Sequence, residues 1–129
     1  MNIQIRRVEG FEYRVGIREF PIIIRISSSE AVEIAKKIDI TSALLTKCDD
    51  EGVCFGYSQC VTGIPDETFL LMQGKQHNIE INVFKDDERL ADFVFGNYCL
   101  KVTVSVFKKL DSGGFRLLEL SDMTEFELR

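Results

Sequence analysis

The stretch Asp92-Phe-Val-Phe-Gly-Asn-Tyr-Cys-Leu-Lys101 sets Gly96-Asn97 between two apolar-rich arms. Gly-Asn is a two-residue hairpin signal because both residues tolerate the positive φ of a primed turn. With Phe95 opposite Tyr98, Phe93 falls opposite Leu100 and Asp92 opposite Lys101. An aromatic pair, an aromatic–aliphatic pair and an ion pair then align without adjustment. The spacing predicts a hairpin here and a protein that is mostly β.

The flanking sequence extends the same reading. Downstream, Leu100, Val102, Val104 and Val106 alternate with Lys101, Thr103, Ser105 and Phe107, the period of a half-buried strand. Asp111-Ser-Gly-Gly114 turns the chain. A three-residue loop sets Val106 opposite Leu120, whereas a two-residue loop sets it opposite Glu119. Continuity of the apolar face favours the first. Met123, Phe126 and Leu128 predict a C-terminus tied into the core.

Upstream, Ile3 and Ile5 mark a strand over residues 2–8. Phe11, Tyr13, Val15 and Ile17 alternate with Glu12, Arg14, Gly16 and Arg18, the cleanest period-two stretch in the chain, and predict another. Residues 22–26 form a short strand after Pro21, and residues 69–72 and 79–83 supply more; residues 40–48 read as a strand in preference to a second short helix capped by Asp39 and running through Ala43 and Leu44. Over residues 53–60, Val53, Phe55 and Tyr57 face one way, while Cys54, Gly56, Ser58 and Cys60 face the other. That small-residue face predicts close approach of a backbone, a helix or a ligand.

One segment reads as a helix. Ser27-Ser-Ser-Glu30 fits a capping box, Ala31, Ile34, Ala35 and Ile38 recur at helical spacing, and Glu33 and Lys37 form an i, i+4 pair. The expected fold is therefore α+β: mainly antiparallel β, as a curved sheet, small barrel or sandwich, with one short helix near residues 28–38 packed on it. A length of 129 residues suits a single globular domain over 1–129.

Charge and cysteines narrow the function classes. The net charge is −5. Residues 1–25 carry Arg6, Arg7, Arg14, Arg18 and Arg25 against Glu9, Glu12 and Glu19, so the acidic excess lies in the remainder. Such a field repels nucleic acid at long range, and no nucleic-acid partner is expected. No apolar run approaches the roughly 20 residues of a membrane helix, and no signal-peptide pattern opens the chain. The expectation is a cytoplasmic protein without a membrane partner. Cys48, Cys54, Cys60 and Cys99 then read as reduced thiols. Cys48, Cys54 and Cys60 are spaced six apart, which is not a paired C-x-x-C pattern, and His77 is the sole histidine, so no zinc site is expected.

Catalytic patterns are equally sparse. His77 with Cys54, Cys60 or Cys99 lacks any local nucleophile signature. The triplets Asp49-Asp-Glu51 and Asp86-Asp-Glu88 lie in expected turns and lack the alternation of a calcium loop. Gly113-Gly114 precedes a strand rather than a helix, so it makes no phosphate loop. No catalytic residue, metal or cofactor is expected. The best ligand candidates are Arg14 and Arg18, four apart on one strand face with Gly16 between them, a spacing suited to clamping a small anion.

The favoured reading is a small acidic, non-enzymatic binding protein of the inhibitor or immunity-protein type, occupying the surface of a partner protein with a basic face. The alternatives are a binder of a small anionic ligand through Arg14 and Arg18, and a structural or assembly subunit that forms homo-oligomers.

Overall fold

Alternating apolar side chains set the strands, and the register between them sets everything else. The computed structural model describes residues 1–47, 53–61, 63, 65–85, 87–89 and 94–129. Among these, the elements are β1 (Asn2–Arg7), β2 (Pro21–Ser27), β3 (Val32–Ala35), β4 (Asp39–Lys47), β5 (Val53–Ser58), β6 (Thr68–Leu71), β7 (Gln76–Asn82), β8 (Gly96–Lys109) and β9 (Phe115–Leu128). They form two antiparallel sheets. The smaller has the order β1-β2-β7, and the larger runs β5-β4-β8-β3-β6 with β9 on the other edge of β8. One cluster of buried side chains, from Ile3 to Leu128, draws on both sheets.

The expected helix over residues 28–38 is absent, and the α+β expectation falls with it. No helix packs on either sheet among the described residues, and the sheets do not close into a barrel. The segment is instead a corner. In β2 and β7, Pro21 lies opposite Asn82 and Ser27 opposite Gln76; in β3 and β6, Val32 lies opposite Leu71 and Ala35 opposite Thr68. Every pair of numbers adds to the same total, so the two ladders share one register phase, with the pairing interrupted over residues 28–31 and 72–75, where the Lys75 N–H turns back to Met72 O. The Val83 N–H bonded to Phe20 O and the Lys36 N–H bonded to Glu67 O extend that register at both ends. The two segments leave one sheet at residues 28–31 and 72–75 and enter the other, as strands do where they turn a corner between packed sheets.

Parity survives the corner. Ile22, Ile24 and Ile26 are buried before it, and Val32 and Ile34 after it. Period-two burial thus overrides the helical spacing of Ala31, Ile34, Ala35 and Ile38, and Ala31 is exposed. The supposed capping box is the corner itself, where the Glu30 N–H donates to Ser28 Oγ at 3.4 Å. Glu33 does not pair with Lys37. It accepts a bond from Thr68 Oγ1 across the strands at 3.1 Å and lies 3.4 Å from Lys109.

The Gly96-Asn97 hairpin is also overturned. Gly96 opens β8 with φ +147°, a conformation that favours glycine, and sits opposite Leu128. Both edges of β8 are occupied: Leu100 pairs with Leu45 on one side and Thr124 on the other. No third strand fits there. Phe95, expected to face Tyr98, is 76% exposed, while Tyr98 is buried opposite Phe126. The expected partners Asp92 and Phe93 lie outside the described residues, as do Cys48 and the acidic turn at residues 49–52.

β8 and β9 pair along their whole length, with Lys109 opposite Phe115 and Val106 opposite Leu118. The Leu110 N–H donates to Gly114 O at 2.7 Å and continues this register, so the expected three-residue loop forms, but over residues 111–113, one position earlier than the apolar pattern suggests. The shift from the expected Leu120 is two positions, so every side chain keeps its face. That is why the apolar alternation of Val102, Val104 and Val106 still points inward.

Residues 11–18 form no strand. Their alternation places Tyr13 in an aromatic cluster, with ring centroids 5.2 Å from Phe20 and 4.9 Å from Phe126. Tyr13 Oη donates to the Pro21 carbonyl at 2.5 Å and accepts the Val8 N–H at 3.0 Å. The Arg129 N–H donates to Tyr13 O, and the Val15 N–H donates to Arg129 O, so the end of β9 is pinned to this loop. No helix of the described residues is long and apolar enough to cross a membrane.

Candidate functional site

β9 is an edge strand that shows one clean face to solvent. Leu117, Glu119, Ser121, Met123, Glu125 and Glu127 are exposed, while the alternating residues between them are half-buried or buried. Successive side chains of a strand point to opposite faces, so these six form one row about 34 Å long at ~3.4 Å per residue. Met123 is 61% exposed at its centre. Glu127 lies 3.7 Å from Arg129. Among the described residues neither Glu119 nor Glu125 has a cation within 4.0 Å. The row joins acidic groups to apolar surface, with the exposed Lys101 of β8 opposite Met123 on the same face. The alternation in residues 117–127 carries this signal in the sequence, but only the edge position of β9 makes it a surface.

Arg14 and Arg18 border the same depression, though not as a strand face. Both line a shallow depression of about 260 Å³ in the irregular segment. Glu12 and Glu19 line it too, and Glu12 lies 3.7 Å from Arg14. Two carboxylates therefore balance the two guanidiniums where an anion clamp was expected.

The other candidates are dispersed. His77 stands in β7 of the smaller sheet with its ring against Phe69, centroids 4.6 Å apart. Cys99 belongs to β8 of the larger sheet, and Cys60 is an exposed thiol beyond β5. The side chain of Cys54 lies outside the described residues. Among the described residues no three His, Cys, Asp or Glu side chains gather as a metal site would require. Asp86 is likewise outside them, and its neighbour Asp87 is held below the usual carboxylate range by Arg89, whose Nε and Nη2 donate to it at 3.2 and 3.0 Å. That exposed pair clamps its own loop.

Thr41 is buried, its Oγ1 donating to Thr103 O at 3.4 Å. Burial pushes the Tyr13 hydroxyl above the usual tyrosine range, against the opposing effect of the Val8 N–H. Ser105 Oγ is buried in β8 without a hydrogen-bond partner. No protein-family model, curated protein or solved structure matches the chain.

Proposed function

We propose that this chain is a non-enzymatic binding protein that docks a basic protein surface against the outer face of β9. The observation that carries the reading is the unbroken exposed row from Leu117 to Glu127, with Glu119 and Glu125 unpaired on either side of Met123. Acidic groups fixed on a stiff sheet favour encounter with a basic partner and select its orientation. Leu117 and Met123 supply apolar area that gains from desolvation, and the thioether of methionine adapts to irregular surfaces.

Affinity capture from the native host, run in parallel with the unmodified chain and with the double variant Glu119→Lys/Glu125→Lys, tests this. The expected result is a basic partner retained by the unmodified chain, lost by the variant and released by raised salt. A partner retained equally by both proteins sinks the assignment to β9.

A further inference from the structure

The arginines of the first 25 residues part company in the fold. Arg14 and Arg18 go to the charge-balanced depression, but Arg6 and Arg25 go to the outer face of the smaller sheet. Gln4 lies opposite Arg25 and Arg6 opposite Ile23, which makes Arg6 and Arg25 diagonal neighbours on one face of β1 and β2. Diagonal backbone positions of this kind lie roughly 7–8 Å apart, within reach of one polyatomic anion held between two long side chains.

Arg25 is half-buried, and its orientation is partly fixed. Its Nε donates to Asn78 Oδ1 at 3.1 Å across the neighbouring strand. A guanidinium has five N–H donors, so the two terminal nitrogens retain four for another acceptor. A fork held at one end loses less entropy on binding an oxyanion than a free side chain does.

These residues border a cleft of about 700 Å³ where the edge of β1 meets β9. Arg6, Arg7 and Arg25 line it, with Gln4 and Thr124 as neutral hydrogen-bonding groups. Its carboxylates are Glu9 and Asp122, and Asp122 already accepts the Ile5 N–H at 2.8 Å. Among the described residues no carboxylate lies within 4.0 Å of Arg6, Arg7 or Arg25. The lining thus sets three guanidiniums against two carboxylates; Glu80, opposite Ile23 on the same sheet face, is a third carboxylate diagonal to Arg25 but outside the lining.

We infer that this cleft binds a small molecule through a phosphate monoester, with Arg25 as the oriented fork and Arg6 as the second cation. A doubly charged tetrahedral oxyanion matches this donor set: bidentate acceptance from one guanidinium, charge pairing with another, and neutral donors at the rim. The bland alternative, solvated arginines, makes a different forecast: weak ion association that ignores which arginine is removed.

The test is a nuclear magnetic resonance titration of the full chain with inorganic phosphate and with free phosphoserine, at constant ionic strength. The expected result is saturable shifts of the Arg25 Nε–H and the amides of residues 4–6. Binding weakens about tenfold or more in Arg25→Gln, as expected for loss of hydrogen bonds to a charged group. Arg25→Lys also weakens it, because an ammonium keeps the charge but not the fork, while Arg18→Gln leaves it unchanged. Phosphoserine binding as well as or better than inorganic phosphate supports a monoester. Non-saturable shifts, or equal losses in Arg18→Gln and Arg25→Gln, overturn the site. Neither outcome bears on the strip of β9, whose variants leave these residues intact.

Discussion

The Ile5 backbone N–H donates to the Asp122 carboxylate at 2.8 Å, across the seam between the two sheets. β1 is an edge strand of one sheet and β9 an edge strand of the other. Unpaired edge groups are a liability unless something blunts them, and here a charged side chain of one edge satisfies a donor of the other. Asp122→Ala removes that acceptor. The expected cost is about 1.5–3 kcal/mol, the range for a bond to a charged group. Asp122→Asn keeps an acceptor oxygen and should recover part of it. Chemical denaturation reads both, and amide exchange at Ile5 should accelerate more than at Ile24.

Tyr13 gives the fold an alkaline weakness. Burial raises its pKa, because loss of water disfavours the charged phenolate. A group whose folded pKa lies above its unfolded value contributes stability that is fully present below the unfolded pKa, about 10 for tyrosine. That contribution disappears as pH rises from there through the folded value. Unfolding free energy should therefore fall above pH ~10. Tyr13→Phe should remove this part of the slope while lowering stability by about 1–3 kcal/mol at neutral pH, since the Val8 N–H loses its acceptor. An unchanged alkaline slope in the variant would assign the effect to other groups.

Glu33 separates the corner from the helix that the sequence suggests. A helix pairs Glu33 with Lys37, whereas the observed strand places it 3.4 Å from Lys109. A double-mutant cycle with charge reversal at residues 33 and 109 should show coupling of about 0.2–1 kcal/mol, the small value of an exposed pair. The cycle with residue 37 should show none. Coupling to residue 37 alone would contradict the register of β3.

These elements show what the sequence discloses. Strands with strict alternation and both neighbours in place, such as Ile22 to Ile26 and Leu100 to Val106, were legible because their period is set by burial alone. Ala-Val-Glu-Ile-Ala over residues 31–35 satisfies both periods, and only the pairing of Val32 with Leu71 decides between them. Gly96-Asn97 carries a real turn preference, but occupation of both edges of β8 overrides it. Residues 11–18 alternate cleanly, yet they form no strand: Tyr13 is fixed by aromatic packing, by its hydroxyl and by the bond its carbonyl accepts from the Arg129 N–H. The arginine-rich start of the chain was visible as composition. That Arg6 falls beside Arg25 on one sheet face depends on β1–β2 register, which composition does not contain.

Gly56 is where the expected close approach occurs, and the neighbour is the backbone of β4. A Cβ built there would lie 2.5 Å from Leu44 Cδ2 and 2.7 Å from the Ala43 carbonyl oxygen. The leucine can rotate, but the carbonyl belongs to the strand pairing and cannot yield without moving the ladder. Gly56→Ala should destabilise by about 1–3 kcal/mol, the usual cost of overpacking. The same substitution at Gly114, where nothing but a serine hydroxyl comes within 4.0 Å, should stay within about 0.5 kcal/mol. Equal midpoints for the two variants would mean that β4 and β5 are not in this register.

Ser105 should behave in the opposite sense to the destabilising substitutions above. Its hydroxyl is buried in β8, between Asp39 of β4 and Glu119 of β9 in the strand register, and makes no hydrogen bond. A buried polar group without a partner has lost its water and gained nothing, a penalty of about 1–3 kcal/mol. Ser105→Ala removes the hydroxyl at almost constant shape, so it should raise stability by up to that amount. Ser105→Val retains the apolar gain but adds two methyl groups to a well-packed sheet and should give back part of it. Thermal and chemical denaturation of both variants check this together. A loss of stability in Ser105→Ala would show that the hydroxyl has a partner in solution, and would direct attention to a water bridging it to Asp39 or Glu119.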